Sequence, residues 1–225
     1  MKPGEMIVTI DGPAGAGKST AARVLAARLG WVYLDTGAMY RAVAVAAIQA
    51  GIGLDEETRL SEMLAHMDLT IKPDPDVNRI LLGDWDITDE IRRPEISSPA
   101  SAYSALPVVR QAMVPLQQKI GKTGRVVTEG RDQGTVVFPR AVAKFFLDAL
   151  PAERAQRRYR ELRERGEHVD LEGITQDMRD RDQADSSRNL SPTRPANDAV
   201  VIDSTGLDIQ GVVDRMYDIV MERIT

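Results

Sequence analysis

Met6-Ile7-Val8-Thr9-Ile10-Asp11-Gly12-Pro13-Ala14-Gly15-Ala16-Gly17-Lys18-Ser19-Thr20 is the stretch on which the reading of this chain turns. Met6 to Ile10 is a short apolar run, suited to a parallel strand buried on both faces. Asp11 to Gly17 is too rich in glycine and proline for helix or strand. From Lys18 to Leu29 helix formers follow, with Ala22, Leu25, Ala26 and Leu29 at helical spacing and Gly30 as the stop. Gly12 to Ser19 therefore fits the pattern G-x-x-x-x-G-K-[ST] in the context it requires, strand before and helix after. Glycines permit backbone angles that turn successive N–H groups inward into a concave anion site. The helix N-terminus adds partial positive charge. Gly12, Pro13, Ala14, Gly15, Ala16, Gly17, Lys18, Ser19 and Thr20 thus form a predicted cradle for a nucleoside triphosphate such as ATP. Lys18 supplies an ammonium for the outer phosphates, and the Ser19 hydroxyl is placed to hold Mg2+. A glycine-rich turn with an accidental Gly-Lys-Ser is the alternative, and the flanking strand and helix weigh against it.

Working outward, Trp31 to Leu34 reads as a second strand. Asp35-Thr36-Gly37 can cap a helix running through Tyr40 to about Ala50, stopped by Gly51. This alternation of strand and helix marks a wound parallel sheet. The alternation then breaks. Residues about 54–67 read as a helix. Leu69–Lys72 and Arg79–Leu82 read as short strands around turns at Pro73-Asp74-Pro75-Asp76 and Gly83-Asp84, and two helices follow, near 94–105 and from Pro107 to about Lys122. This stretch is read as an insertion in the core. Strands return at Val126–Thr128, Val142–Leu147 and Ala199–Asp203. Between the last two lie a charged helical segment, 151–185, and a loop from Asn189 to Asn197. Asp208 to Ile224 closes the chain as an amphipathic helix, with Ile209, Val212, Val213, Met216, Ile219 and Val220 on one stripe.

The composition bounds the function. A chain of 225 residues can bury about 70% of its unfolded surface, enough for one good core and an insertion. It has no cysteine, so it holds no disulfide, iron–sulfur cluster or thiol nucleophile, and its two histidines, His66 and His168, are too scattered for a histidine metal site or a Ser-His-Asp triad. No long apolar run and no signal-like N-terminus occur, which reads as a cytoplasmic protein away from membranes, where the Asn189-Leu190-Ser191 sequon has no use. With 29 Lys+Arg against 34 Asp+Glu the formal net charge is −5, which argues against a nucleic-acid partner.

Four arginine-bearing segments point to a second anion held near the triphosphate, because guanidinium forks bind phosphate oxygens in two places. Arg41 sits near a helix start just after the second strand, where wound sheets bind ligands, and is otherwise a solvent-facing helix residue. Arg131 and Asp132 lie in Glu129-Gly130-Arg131-Asp132-Gln133-Gly134-Thr135, a glycine-rich turn after the third core strand; such a turn is poor packing material and good ligand-loop material. The run Glu153 to Glu167 carries Arg154, Arg157, Arg158, Arg160, Arg163 and Arg165, of which Arg154, Arg157, Arg158 and Arg165 fall broadly on one side of a helix. It is either a solvated face, with Glu161 pairing to Arg157, Arg158 or Arg165, or a mobile lid bringing charge to a transferring phosphoryl. Arg181, Asp185 and Arg188, at i, i+4 and i+7, share one helical face, either as a salt-bridge ladder or as a ligand cluster at the helix end.

At these residues the chain resembles the bacterial cytidylate kinases, a branch of the P-loop nucleoside monophosphate kinases. The matching segments are Ile10–Thr20, Asp35-Thr36-Gly37-Ala38-Met39-Tyr40-Arg41, Glu129–Pro139, Arg181-Asp182-Gln183-Ala184-Asp185-Ser186-Ser187-Arg188 and Ile202-Asp203-Ser204-Thr205. The resemblance implies an α/β P-loop core with a five-stranded parallel sheet, formed by residues 1–35 and 123–225. It also implies a monophosphate-binding insertion over 36–122 and a short lid near 151–170. Its substrates would be ATP with CMP or dCMP, its metal Mg2+, and its state a monomer. Catalytic roles would fall to Lys18, Arg131, Arg188 and Arg158. Arg41, Arg131 and Arg188 would hold the acceptor phosphate beside Thr36, while Ser101, Arg110 and Asp132 would read the cytosine edge. Arg181 and Asp185 would contact the sugar, and Arg154, Arg157 and Arg158 would be lid arginines near the triphosphate. Glu129 stands where Asp is more usual, Arg140 where an Asp is common and Thr193 where Leu is usual.

The reaction so implied needs no strong general base, because the attacking oxygen belongs to a phosphate already ionised at neutral pH. Alignment and charge stabilisation would carry it, with closure of lid and insertion excluding water. UMP or a related monophosphate is the alternative acceptor. A P-loop switch would need a guanine-reading Asn-Lys-x-Asp, which does not occur.

Overall fold

The computed structural model describes residues 6–72 and 78–224; the turn expected at Pro73–Asp76 lies outside them. In chain order the elements are β1 (Ile7–Asp11), α1 (Lys18–Leu29), β2 (Val32–Asp35), α2 (Thr36–Gln49), α3 (Glu57–His66), β3 (Leu69–Lys72), β4 (Arg79–Leu82) and β5 (Trp85–Asp86). After two single 3-10 turns come α4 (Ser97–Ser104), α5 (Pro107–Gly121), β6 (Val126–Gly130) and β7 (Ala143–Asp148). The chain ends with α6 (Pro151–Glu164), α7 (Leu171–Ser187), β8 (Val200–Asp203) and α8 (Ile209–Ile224). Two compact units result: one from the chain up to Leu34 together with the chain from Thr123 onward, the other from Asp35–Lys122.

The first unit is built on a five-stranded sheet in the order β2-β6-β1-β7-β8. Every residue of β1 and β6 is buried, the polar Thr9, Asp11, Thr128 and Glu129 included, as expected of strands covered on both faces. β1 runs parallel to β6 and β7, with Asp11 level with Gly130 on one side and Phe146 on the other. β2 and β6 lie on one side of β1 and β7 and β8 on the other, so the strand order reverses beside β1. In wound sheets the carboxyl ends of strands at such a reversal are where ligands bind. The glycine loop leaves β1 and the Arg131 loop leaves β6 at that point.

Helices α1 and α8 cover one face, packing Ala22, Leu25 and Ala26 with Val212, Val213, Met216 and Val220 against Val8, Ile10, Phe145, Leu147 and Ile202. The expected stripe on α8 holds except at Ile209. That residue stays 38% exposed in a first turn fixed by its cap, in which Asp208 accepts the Gly211 N–H at 2.8 Å. The charged stretch 151–185 is two helices. Gly166, at φ 83°, follows the end of α6, and Asp170 caps α7 by accepting the Gly173 N–H at 2.7 Å. Ala155, Leu162, Ile174 and Met178 bind the pair together.

In the second unit Asp35 caps α2 as its sequence suggests, accepting the Ala38 N–H at 2.9 Å. Helix α3 begins later than its pattern predicts, at Glu57, because Glu56 folds back on the Gly53 N–H at 2.7 Å and closes a turn first. The helix expected near 94–105 opens as a 3-10 turn at Pro94–Ile96 and becomes α-helical only from Ser97. Strands β3, β4 and β5 make a separate antiparallel sheet. Among the described residues no helix is long and apolar enough to cross a membrane.

Candidate active site

The phosphate loop is shaped by exclusion as well as by its own backbone. A Cβ at Gly12, whose φ is 146°, would run into the Leu147 carbonyl oxygen. One at Gly15, φ 73°, would stand 2.8 Å from Met178 Cε and 2.9 Å from the Arg154 carbonyl oxygen. Both positions therefore require glycine. Ala16 is buried under the loop, Pro13 and Ala14 are half-buried, and Ser19 and Thr20 face outward at the start of α1. Lys18 is buried, and its Nζ donates to the Pro13 carbonyl at 2.7 Å. Burial, and then the neighbouring charge of Arg131, lower its pKa to about 7, with Glu129 acting the other way. The Ser19 hydroxyl donates to Glu129 Oε1 at 2.9 Å.

Asp11 joins the two loops. Its Oδ1 accepts the Gln133 N–H at 2.8 Å and its Oδ2 the Gly134 N–H at 2.7 Å, while Thr128 Oγ1 donates to Gln133 Oε1 at 3.1 Å. Burial raises the Asp11 pKa to about 7, against the two N–H bonds that hold it down. Glu129 and Gly130, expected in the turn, belong to the end of β6; Gln133–Val137 then makes a single π-helical turn, with Asp132 buried at its start.

Four of the anticipated residues converge. Asp185, buried at the end of α7, accepts Arg131 Nε at 2.8 Å and Arg188 Nη2 at 2.6 Å, with Arg181 Nε 3.9 Å away. The segment is a salt-bridge ladder, and it takes in Arg131 from the end of β6. Burial pushes the Asp185 carboxyl up, but the three arginines more than offset this and hold it below the usual carboxylate value. Burial opposes the charge on Arg131 too, and Asp185 first, with Glu129 and Asp182, more than restores it.

The arginines of α6 do not act as one face. Arg154 is buried, donating to the carbonyls of Ala149 and Ala14 at 3.0 Å each and pairing with Asp182 at 2.5 Å. Arg157 pairs with Glu153 rather than Glu161 and clasps Ser204 through its Oγ at 2.9 Å and its carbonyl at 2.7 Å. Arg158 and Arg165 pair with Glu161 at 2.8 and 2.6 Å, so the helix's own carboxylate holds them; Arg165, the residue after the last turn of α6, is exposed.

In the second unit Thr36 is buried as the first residue of α2. Arg41 Nη1 donates to the Ile91 carbonyl at 3.3 Å and Ser97 Oγ at 3.1 Å. Arg110 is buried with its guanidinium 5.8 Å from the Tyr40 ring centroid and donates to the Ser104 carbonyl at 3.4 Å. Ser104 Oγ in turn donates to the Ser101 carbonyl at 2.8 Å.

Sequence reasoning missed Asp11, Asp182 and Ser204. Asp11 carried a readable signal, a carboxylate at the end of a buried strand. Asp182 and Ser204 carried none beyond lying in matching segments. For a divalent cation, the described residues contain no group of three or more His, Cys, Asp or Glu able to form a cage. The oxygens of Ser19 and Glu129 instead suit Mg2+, which binds through one or two protein oxygens together with substrate phosphates.

The sequence profile described as cytidylate kinase matches residues 8–222. A cytidylate kinase from Syntrophotalea carbinolica is 48% identical over 219 residues, 97% of this chain and 93% of that one. One from Geobacter sulfurreducens is 48% identical over 218 residues, covering 97% and 94%. A solved structure of an uncharacterized protein from Eubacterium ventriosum shares the fold alone, at a TM-score of 0.53 and 13% identity over 97% of this chain and 99% of that one. The phosphate loop, the Asp185 arginine cluster and these likenesses agree, and the chain belongs to the cytidylate kinase family.

Proposed function

We propose that this chain transfers the terminal phosphoryl group of ATP to CMP and dCMP, forming ADP with CDP or dCDP. The observation that carries the reading is the convergence of Arg131, Arg181 and Arg188 on the buried Asp185, together with a phosphate loop leaving the neighbouring strand. Arg131 and Arg188 of such a cluster suit a phosphate dianion near a triphosphate and suppress their repulsion.

An oxygen of the CMP phosphate attacks the γ-phosphorus, and the bond to the β–γ bridging oxygen breaks, leaving ADP. No side chain needs to remove a proton. Lys18 and the backbone N–H groups of Gly15 to Thr20 hold the triphosphate, Arg131 and Arg188 spread the charge moving toward the acceptor, and Arg157 and Arg158 serve the ATP side. Arg154 acts beneath the loop. Ser19, with Glu129 behind it, would hold Mg2+, which when bound neutralises charge on the ATP phosphates. Asp35–Lys122 is the monophosphate-binding unit, with Thr36 and Arg41 for the acceptor phosphate and Ser101 and Arg110, with Asp132, for the cytosine edge. Arg181 and Asp185 take the sugar, and residues 151–170 form the lid. Small nucleotides are the partners, and the enzyme works as a cytoplasmic monomer.

ADP formation measured with CMP, dCMP, UMP and AMP tests the reading. Turnover of CMP and dCMP far above UMP and AMP is expected; equal rates, or ATP hydrolysis indifferent to CMP, overturn it.

A further inference from the structure

Ala14, in the middle of the phosphate loop, is held from outside on both of its peptide groups. Its N–H donates to Asp182 Oδ1 at 3.4 Å, and its carbonyl accepts Arg154 Nη1 at 3.0 Å. The same Nη1 binds Asp182 Oδ2 at 2.5 Å, and Arg154 Nε is anchored on the Ala149 carbonyl at 3.0 Å. The next residue, Gly15, lies so close to Met178 and Arg154 that no Cβ fits. The loop thus rests on α6 and α7.

Met178, Asp182 and Asp185 fall at i, i+4 and i+7 of α7, on one face of a single helix. At Met178 and Asp182 that face bears on the phosphate loop; one turn later, at Asp185, it gathers Arg131 and Arg188. The charges are contiguous as well. Arg131 feels Asp182 as well as Asp185, and Lys18 feels Arg131 and Arg181.

We infer that Asp182 and Arg154 form a latch through which α7 couples the phosphate loop to the Asp185 arginine cluster, so that a bound triphosphate sets the groups that receive the acceptor phosphate. The inference rests on the cytidylate kinase reading. A triphosphate fixes the loop; the Ala14 peptide fixes Asp182; and a rigid helix carries that placement one turn to Asp185. Asp182 and Arg154 are positioning residues, acting through Ala14 and Asp185 rather than on the phosphoryl group. Coupling between two sites is reciprocal, so CMP must tighten triphosphate binding by the same factor.

The test is calorimetric binding of CMP and of a non-hydrolysable ATP analogue, each alone and each in the presence of the other, to the wild type, Asp182→Ala and Asp182→Asn. The Asp182 side chain is 23% exposed on a helix, and without it Arg154 keeps its bonds to the Ala149 and Ala14 carbonyls. Asparagine keeps the shape but turns an N–H toward Arg154, and it provides the comparison should the alanine variant melt early. In the wild type the analogue is expected to tighten CMP binding at least about fivefold. In both variants this factor falls to about 1, the analogue alone binds about tenfold more weakly, and CMP alone binds as in the wild type. Coupling that survives in the variants, CMP binding weakened equally with and without the analogue, or a wild type without coupling would each overturn the latch. Failure of the kinase reading is separate and shows in the wild type alone, as no CDP formed from ATP and CMP.

Discussion

Asp185 accepts the Nε–H of Arg131 at 2.8 Å across 54 residues of sequence, joining the end of a helix to the end of a buried strand. With Arg188 on its other oxygen and Arg181 nearby, one buried carboxylate organises three guanidinium groups. The arrangement is electrostatically one-sided: without Asp185 three partly buried arginines repel each other with only partial screening by water.

Removing one partner of a buried ion pair costs about 3–5 kcal/mol, because the remaining charge is left uncompensated. Asp185→Asn is therefore expected to lower the unfolding free energy by about that amount at pH 7 and to raise the KM for CMP. The pH dependence has a definite sign. Asp185 titrates below its unfolded value of 3.8, so its stabilisation is complete above that value and fades as pH falls through the folded pKa. Urea unfolding of wild type and variant should show a constant gap down to about pH 5 and a narrowing gap below 3.8. A gap that widens in acid contradicts the role.

Gly15→Ala places a methyl group against Met178 Cε and the Arg154 carbonyl oxygen, on a backbone with φ 73°. The thioether can yield; the carbonyl cannot. Overpacking of this kind costs about 1–3 kcal/mol, and here the strain falls on the phosphate loop. The variant should melt at lower temperature and show a raised KM for ATP with little change in the KM for CMP. The companion change Met178→Ala should restore part of the stability and little of the ATP affinity, since it frees only one of the two contacts. Full recovery would mean that Met178 alone makes the site tight.

Asp132 is buried at the start of the π-helical turn, and the neighbouring Gln133 and Gly134 N–H groups go to Asp11 rather than to Asp132. A carboxylate there suits the cytosine amino group, whereas the uracil carbonyl in its place would face it unpaired. Such a mismatch discriminates by about 1–3 kcal/mol. Asp132→Ala is expected to bring the kcat/KM ratio for CMP over UMP down by about tenfold or more. Measured relative efficiencies that do not move would remove Asp132 from base recognition.

The parts legible in the sequence were those whose chemistry is local. Gly12 to Ser19 declares itself because one loop supplies every group, and Arg181, Asp185 and Arg188 share a face by helical spacing alone. That Arg131 completes the cluster was readable only as a strand-end position; the strand order brings it there. Asp11 and Asp182 escaped because their partners, the Gln133 and Gly134 N–H groups and the Ala14 peptide, lie over 100 residues away in sequence. The run of arginines on α6 was ambiguous for another reason. Identical side chains three and four residues apart carry no sign of which meets a carbonyl, which a serine and which its own glutamate.

The 2.9 Å contact between Ser19 and Glu129 joins the start of α1 to the end of β6, and the two oxygens suit Mg2+. Ser19 would supply a hydroxyl oxygen, and Glu129 would orient it and offset charge from behind. Losing an orienting partner of this kind typically costs about 10–100-fold in metal affinity. Glu129→Gln should therefore raise the Mg2+ concentration for half-maximal activity by at least about tenfold, with the KM for CMP unchanged. Glu129→Asp keeps the charge on a shorter arm and should retain most of the activity. Because Glu129 also supports the charge on Lys18, a second outcome needs separating: if the defect lay in Lys18, excess Mg2+ would not rescue the Gln variant. Rescue by Mg2+ assigns Glu129 to the cation, and failure of rescue assigns it to Lys18.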